Sequence, residues 1–504
     1  MPRKPKPKNQ LSAGQRAALY LEEQKVRLEE DARSEKNDAI AKADKPVKKE
    51  KAEKAQKPKP NHAIVRVDMS AKIATTPALN GMCNGPVSYE GDVSGLFKKM
   101  NIPYVRNCGW DTKASRYAFD ISRIFKNPDA DDSKPENYDF SLTDEYMMGI
   151  YNCGVECIFT FGDSDAKASW AQRDPDKWAR VCAMTVRHYN DYWANGFCYG
   201  INKFEISPKG RFSLLDNRNL LFSVYEKTAR ALKLAYPDCM VGGMSFDGYS
   251  ERGREFLRFC SVRGVPLDFL SFEYFGADVE DACGICDKYT SAIVNLGLDD
   301  THIMISAWNY VKKVSDALSP DVIIANAGGR YSAECKQLFE AQKSIEGAAF
   351  CMSLMLALGD FERVKFAEYY DAQPAVSRFC GISDRYGNPE KPYYAFCAYS
   401  ELAKCKDGIF CVSEQSPDTC HSGVWARAGV TDAGECIIAI SCFDACQLID
   451  LRLDNIPENL YEADIYMADG VKDLELCDTI HLSGDRKRLL LSMSAYGYAI
   501  VKIH

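Results

Sequence analysis

The chain has 504 residues, 46% hydrophobic and 11% aromatic, enough to bury a large core and too many for one small domain. Its formal charge of −8 hides a split: residues 1–60 carry 17 Lys and Arg against 10 Asp and Glu, a net of +7, which leaves −15 on the rest. An acidic body argues against nucleic-acid binding by the folded part, and no run approaches the roughly 18 apolar residues of a membrane span.

In chain order, the first element is the tail. Residues 1–10 and 44–60 are rich in Lys, Pro and Ala and read as disordered. Leu11–Ala43, rich in Glu, Lys, Arg and Ala, fits a solvated helix with a sparse apolar face at Leu19, Val26 and Leu28. The expectation is a solvated mixed-charge tail, with contact to an anionic partner as the alternative and the partner itself unknown. The basic start is not followed by an apolar stretch of the secretory type. With 21 irregularly spaced cysteines, this favours free thiols and a cytoplasmic location. Cys283-Gly-Ile-Cys286 has no second pair to complete a zinc site and reads as helix-face thiols. No metal or organic cofactor is implied.

Ordered structure is expected from His62, with Ala63–Val67 strand-like. Eight short apolar runs then alternate with amphipathic stretches. The runs are Leu79–Cys83, Tyr104–Cys108, Cys157–Phe161, Lys203–Ser207, Met240–Ser245, Asp268–Phe275, His302–Trp308 and Val364–Tyr370. Helices are expected over Pro175–Ala194, Asn217–Tyr236, Glu251–Arg263, Val279–Leu296 and the nearly all-apolar Gly347–Leu358. Eight βα repeats predict a (β/α)8 TIM barrel over 62–404, with functional residues at the strand C-terminal ends. From 405 the pattern turns to short strands with turns between them: Gly423–Ala428, Glu435–Ser441, Gln447–Leu451, Leu460–Met467, Leu489–Leu491 and Tyr496–Ile503. That predicts a β-sandwich over 405–504, which the strand near Ala63 is free to join.

Several landmarks fall in a recognisable order. They are Leu79-Asn-Gly-Met-Cys-Asn-Gly-Pro86, Asn101-Ile-Pro-Tyr-Val-Arg106, Tyr138-Asp-Phe-Ser-Leu-Thr-Asp-Glu145, Trp178 to Asn190, Glu346-Gly-Ala-Ala-Phe350 and Lys391-Pro-Tyr-Tyr-Ala-Phe396. Over residues 62–504 the chain resembles glycoside hydrolase family 39, the β-xylosidase-like family of clan A. The resemblance implies two catalytic carboxyls, about 5 Å apart in a retaining enzyme. One follows the fourth strand and the other ends the seventh. Here Phe204-Glu-Ile-Ser-Pro-Lys209 puts Lys209 at the acid/base position, and Ile303-Met-Ile-Ser-Ala-Trp-Asn-Tyr310 puts Ala307 at the nucleophile position. The second strand runs from Arg106 into Asn107-Cys-Gly109 where the family has Thr-His-Asp, and Glu273 stands where the sixth strand carries a His.

Lys209 and Glu273 invite an ion pair across the pocket, with solvent-facing side chains as the alternative. Glu273, Glu205 and Glu368 are candidate relocated carboxylates. Glu205 reads rather as a brace inside the barrel, since the family pattern has it beside the true acid. Asp111 and Asp163 are loop-borne candidates for sugar hydroxyls. Arg106, Asn107 and Asn309 are candidate substrate contacts, and Trp308 and Tyr274 candidate platforms for a sugar ring. His188, in an amphipathic helix, reads as structural. Three functions compete: a carbohydrate-binding protein on a catalytically impaired barrel, an active β-xylosidase or arabinofuranosidase type enzyme with relocated carboxylates, and a scaffold acting through its charged tail.

Overall fold

The computed structural model describes residues 61–88, 91–107, 120–162, 171, 174–207, 218–312, 333–373, 381–414, 423–443, 447–483 and 487–504. The expectations for the tail, Lys209, Asp111 and Asp163 lie outside them.

Eight parallel strands close into a barrel: β2 (Gly81–Cys83), β5 (Tyr104–Asn107), β6 (Glu156–Phe161), β7 (Lys203–Ile206), β8 (Met240–Asp247), β9 (Phe269–Gly276), β10 (His302–Tyr310) and β11 (Val364–Tyr369). Closure is made by β11 on β2, where Glu368 pairs with Gly81. A two-stranded hairpin, β3 (Val87–Ser88) and β4 (Gly91–Asp92), follows β2. These eight strands are the apolar runs of the sequence, with ends shifted by a residue or two.

The intervening helices carry their own start signals. Asp174 accepts from Lys177 N ahead of the helix Pro175–Asn190, Ser250 from Gly253 N ahead of Glu251–Arg263, and Asp278 from Glu280 N ahead of Val279–Asn295. Proline at the first helical position and left-handed Gly264 past the end fix two of the boundaries.

Inside the barrel, Ile158, Phe269, Met304 and Phe366, with Tyr104 and Met240, fill the end near the strand N-termini. Each buried ring or aliphatic side chain there stabilises by about 1.5–3 kcal/mol. The barrel is therefore a packed plug, and its polar residues sit above this layer.

The remaining strands form one nine-stranded sheet: β1 (Asn61–Ile73), β12 (Asp407–Glu414), β13 (Val424–Val430), β14 (Cys436–Cys442), β15 (Gln447–Asp454), β16 (Glu462–Ala468), β17 (Asp473–His481), β18 (Arg488–Met493) and β19 (Gly497–Ile503). Their order is β17-β16-β19-β14-β13-β12-β1-β15-β18. Val65, Ile440, Ile465, Leu491 and Val501, from strands near both edges, share one apolar cluster. The sheet thus curls over its own core as a sandwich. β1 lies between β12, antiparallel, and β15, parallel. The apolar helix Ile345–Leu358 is buried on all sides between barrel and sheet, and its Ser353 hydroxyl meets that of Ser441 at 2.8 Å.

Two strands of this sheet were not anticipated. β12 was missed, and β17 is an edge strand, exposed along most of its length and carrying Asp473, Glu475 and Asp478. Its acidic residues hide the alternation that marks a half-buried strand, and charge of this kind guards an open edge.

Candidate functional site

A hydrogen-bonded chain of polar side chains climbs the barrel interior toward the mouth. At its base, Arg106 Nε and Nη2 each lie 2.6 Å from Glu205 Oε2, and both side chains are 0% exposed. Thr160 Oγ1 donates to the same oxygen at 3.2 Å, and Ser271 Oγ donates to Oε1 at 2.6 Å. Ser245 N donates to Ser271 Oγ at 2.7 Å. The Ser245 hydroxyl lies 2.7 Å from Ser306 Oγ and donates to Glu273 Oε1 at 2.7 Å. Glu273 is half-buried at the mouth.

Two backbone features make this geometry. Ser245 has φ +56, an uncommon left-handed conformation for a non-glycine residue, within a register shift between Gly243 and Phe246. The irregularity lets one serine address β9 through its N–H and both Glu273 and Ser306 through its hydroxyl. β10 is likewise shifted against β9 between Ile305 and Ala307. After it Ala307 stands in register with Glu273, and Ala307 packs with Cys83, Phe275 and Tyr370. The Cys83 thiol donates to Ser306 O at 3.2 Å.

The residues expected from sequence divide sharply. Of the three candidate carboxylates, Glu205 and Glu368 are 0% exposed and Glu273 keeps accessible surface. Glu205 is committed to Arg106, Thr160 and Ser271. Glu368 lies against Gly81, where its charge, after burial, helps hold the Tyr104 phenol and Cys157 thiol protonated. Neither offers a carboxylate to a ligand at the mouth.

The sugar-platform expectation is corrected. Trp308 is 0% exposed and packs outward among Tyr369, Phe350 and Phe396. The bulge reverses its side, so it joins the layer between barrel and helices. Tyr274, next to inward-facing Glu273, also turns outward, and its hydroxyl donates to Asp278 O at 2.6 Å. Arg106 is sealed beneath the mouth by its ion pair. Asn107 is buried, accepting from Thr160 N at 2.7 Å, and buried Asn309 donates to Tyr370 O. These side chains shape the scaffold under the site and are withdrawn from direct sugar contact.

Ser245, Ser271, Thr160 and Cys83 were not singled out from sequence. Ser271 was recoverable, because it lies two residues before Glu273 and so shares its face. Asp247, exposed at the end of β8 and in register with Glu273, was also missed. His188 is buried between Asp144 and the Trp193 carbonyl, 2.9 Å from each, and stacks on Phe140. Cys283 and Cys286 are free thiols on one helix, and burial pushes Cys283 up to about 12. Among the described residues no cluster of metal-ligating side chains occurs, and no helix is long and apolar enough to cross a membrane.

No family model matches the chain. A β-xylosidase from Geobacillus stearothermophilus is 31% identical over 192 residues, a match spanning 31% of this chain and 37% of that enzyme. The matched stretch is thus well under half of that relative's length. A glucosidase from Croceicoccus marinus superposes with a TM-score of 0.68 at 19% identity, over 88% of this chain and 99% of its own. The GH39 enzyme from Xanthomonas axonopodis pv. citri gives 0.63 at 12% identity, over 88% and 98%. An α-L-arabinofuranosidase from Thermotoga maritima gives 0.57 at 12% identity, over 87% and 99%. The chain has a fold like that of glycoside hydrolase family 39 and its clan A relatives.

Proposed function

We propose that this protein binds carbohydrate at the barrel mouth and does not hydrolyse glycosides through the two-glutamate mechanism of the fold. The observation that carries this reading is Ala307. By the resemblance it takes the nucleophile's place on β10, its side chain packs with Cys83, Phe275 and Tyr370, and the carboxylate beside it, Glu273, belongs to the neighbouring strand β9. Lys209 at the acid/base position would remove the proton donor as well. Acid catalysis alone supplies about 10²–10⁴-fold, so losing both groups together abolishes ordinary turnover. Glu273, held by Ser245, then serves as an acceptor for sugar hydroxyls.

The test is paired. Glycan binding and hydrolysis are measured for the natural chain and for the double variant Lys209→Glu, Ala307→Glu. Binding without turnover in the first supports the reading, and hydrolysis regained in the second identifies both positions. Turnover of aryl β-xylosides or α-L-arabinofuranosides by the natural chain would overturn it.

A second reading, an active glycosidase with relocated groups, draws on one observation: Glu273 and Asp247 are register partners on adjacent strands at the mouth. A strand spacing of about 4.8 Å is compatible with the roughly 5–9.5 Å carboxyl separations used in glycoside hydrolysis. It requires turnover that disappears in both Glu273→Gln and Asp247→Asn.

A further inference from the structure

A ladder of aromatic rings reaches the surface at the opposite end of the barrel. Tyr151 lies in the last turn of the helix Ser141–Asn152, which leads into β6. Phe197 and Tyr199 lie in the segment that leads into β7. Tyr151 stacks on Tyr199 at 4.1 Å and 25°, Tyr199 on Phe197 at 4.6 Å and 18°, and Phe197 on buried Tyr189 at 6.1 Å and 10°. One face of the Tyr151 ring is covered by Tyr199, yet the residue is 52% exposed. Its other face is therefore open, and it is the next place in the stack.

The ladder is built rigidly. Phe197 N donates to His188 O at 2.6 Å and Tyr199 N to Tyr189 O at 2.7 Å. Asn190 grips Ile201 by both its side-chain atoms, at 2.8 Å each. Tyr192, Ala194 and Asn195 take positive φ values of 59, 55 and 59. Left-handed non-glycine residues cost of order 1–3 kcal/mol each, and here they turn Tyr192 outward until it is 69% exposed. Its hydroxyl meets the exposed Cys198 thiol. The Asp144 carboxylate, already accepting from His188 and Tyr189, keeps 24% of its side chain accessible within electrostatic reach of Tyr199.

The surface thus combines one open flat ring with hydroxyl and carboxylate groups around it. A wholly apolar partner would leave those polar groups desolvated without partners. A polyanion would meet a body carrying −15. A pyranose ring satisfies both parts, with CH groups for the ring face and hydroxyls for the rim. Preorganisation keeps the entropy cost of binding low.

We infer that the Tyr151–Tyr199 ladder, with Tyr192 beside it, is a second carbohydrate-binding site, remote from the mouth, that stacks a pyranose ring of a neutral polysaccharide on Tyr151. The full-length protein is run in native gels containing soluble xylan, glucomannan or mixed-linkage β-glucan. The variants Tyr151→Ala and Tyr192→Ala are compared with Tyr151→Phe, and each is repeated with Glu273→Ala at the mouth. Retardation by at least one polysaccharide is expected, weakened about three- to tenfold by Tyr151→Ala, as loss of a stacked ring implies, and kept by Tyr151→Phe. The loss should persist in the Glu273→Ala background, which separates this site from the mouth. Unchanged thermal unfolding of Tyr151→Ala excludes misfolding as the cause. Equal retardation of Tyr151→Ala and the natural chain, or no retardation on any of the three, overturns the inference. So does a dimer that Tyr151→Ala converts to monomer in sedimentation, which would assign the patch to a second copy of the chain.

Discussion

Replacing Glu205 by Gln keeps the shape of the side chain and removes its charge. The carboxylate receives Arg106 Nε and Nη2 at 2.6 Å, Ser271 Oγ at 2.6 Å and Thr160 Oγ1 at 3.2 Å, all without solvent. Glutamine can accept on one oxygen only, and its amide hydrogens would face the guanidinium or Ser271. The Arg106 charge would remain buried without compensation, a change that typically costs about 3–5 kcal/mol. The folded body spans Pro60–His504. At roughly 2.1 cal/mol/K per residue its unfolding entropy is about 0.9 kcal/mol/K, so Tm should fall by about 3–6 °C. Calorimetry of the purified variant reads this directly. A ligand-facing carboxylate would behave oppositely: glycan binding would weaken while Tm stayed unchanged. A Tm equal to that of the natural chain would refute the bracing role.

Other outcomes follow from the same packing. Trp308→Ala should destabilise by about 3–5 kcal/mol, read from denaturant midpoints, whereas a sugar platform would lose affinity and little stability. A Cβ at Gly81 would lie 2.3 Å from Glu368 Oε2, so Gly81→Ala should cost about 1–3 kcal/mol; adding Glu368→Ala should recover much of it, and additive effects would refute the contact. Among the described cysteines, exposed Cys198 and Cys477 should be alkylated first by iodoacetamide at pH 8 in peptide mapping. Cys283, its pKa raised to about 12 by burial, holds only about one thiolate in ten thousand at that pH and should react far more slowly than either, faster as pH rises.

The barrel was legible because its signals are local. Each strand is an apolar run of ordinary length, and several helices begin at Asp or Ser caps with visible spacing. The site was less so, because two backbone irregularities decide it. Counting by twos from Ser306 puts Trp308 inside the mouth; the shift between Ile305 and Ala307 moves it outside. Nothing in Val241-Gly-Gly-Met-Ser245 announces that Ser245 adopts φ +56 and bridges two strands. Glu205 was readable as a brace because the family pattern has it beside the true acid, but its partner Arg106 lies 99 residues away and only barrel closure joins them.

The position of β1 has a consequence for synthesis. The strand emerges from the ribosome before any barrel strand, yet both its neighbours, β12 and β15, are encoded after the last one. At about 5–20 residues per second, the roughly 330 residues between Ile73 and Asp407 take about 17–70 s to make. Throughout that interval Ala63, Val65, Val67 and Met69, all destined for the sheet core, form an unpaired apolar edge on a growing chain. The barrel must therefore fold as a long loop held open at its base. The last hundred residues cannot complete their sheet without the sixty-first to the seventy-third, so a fragment beginning at residue 405 would expose two open ladders where β1 belongs.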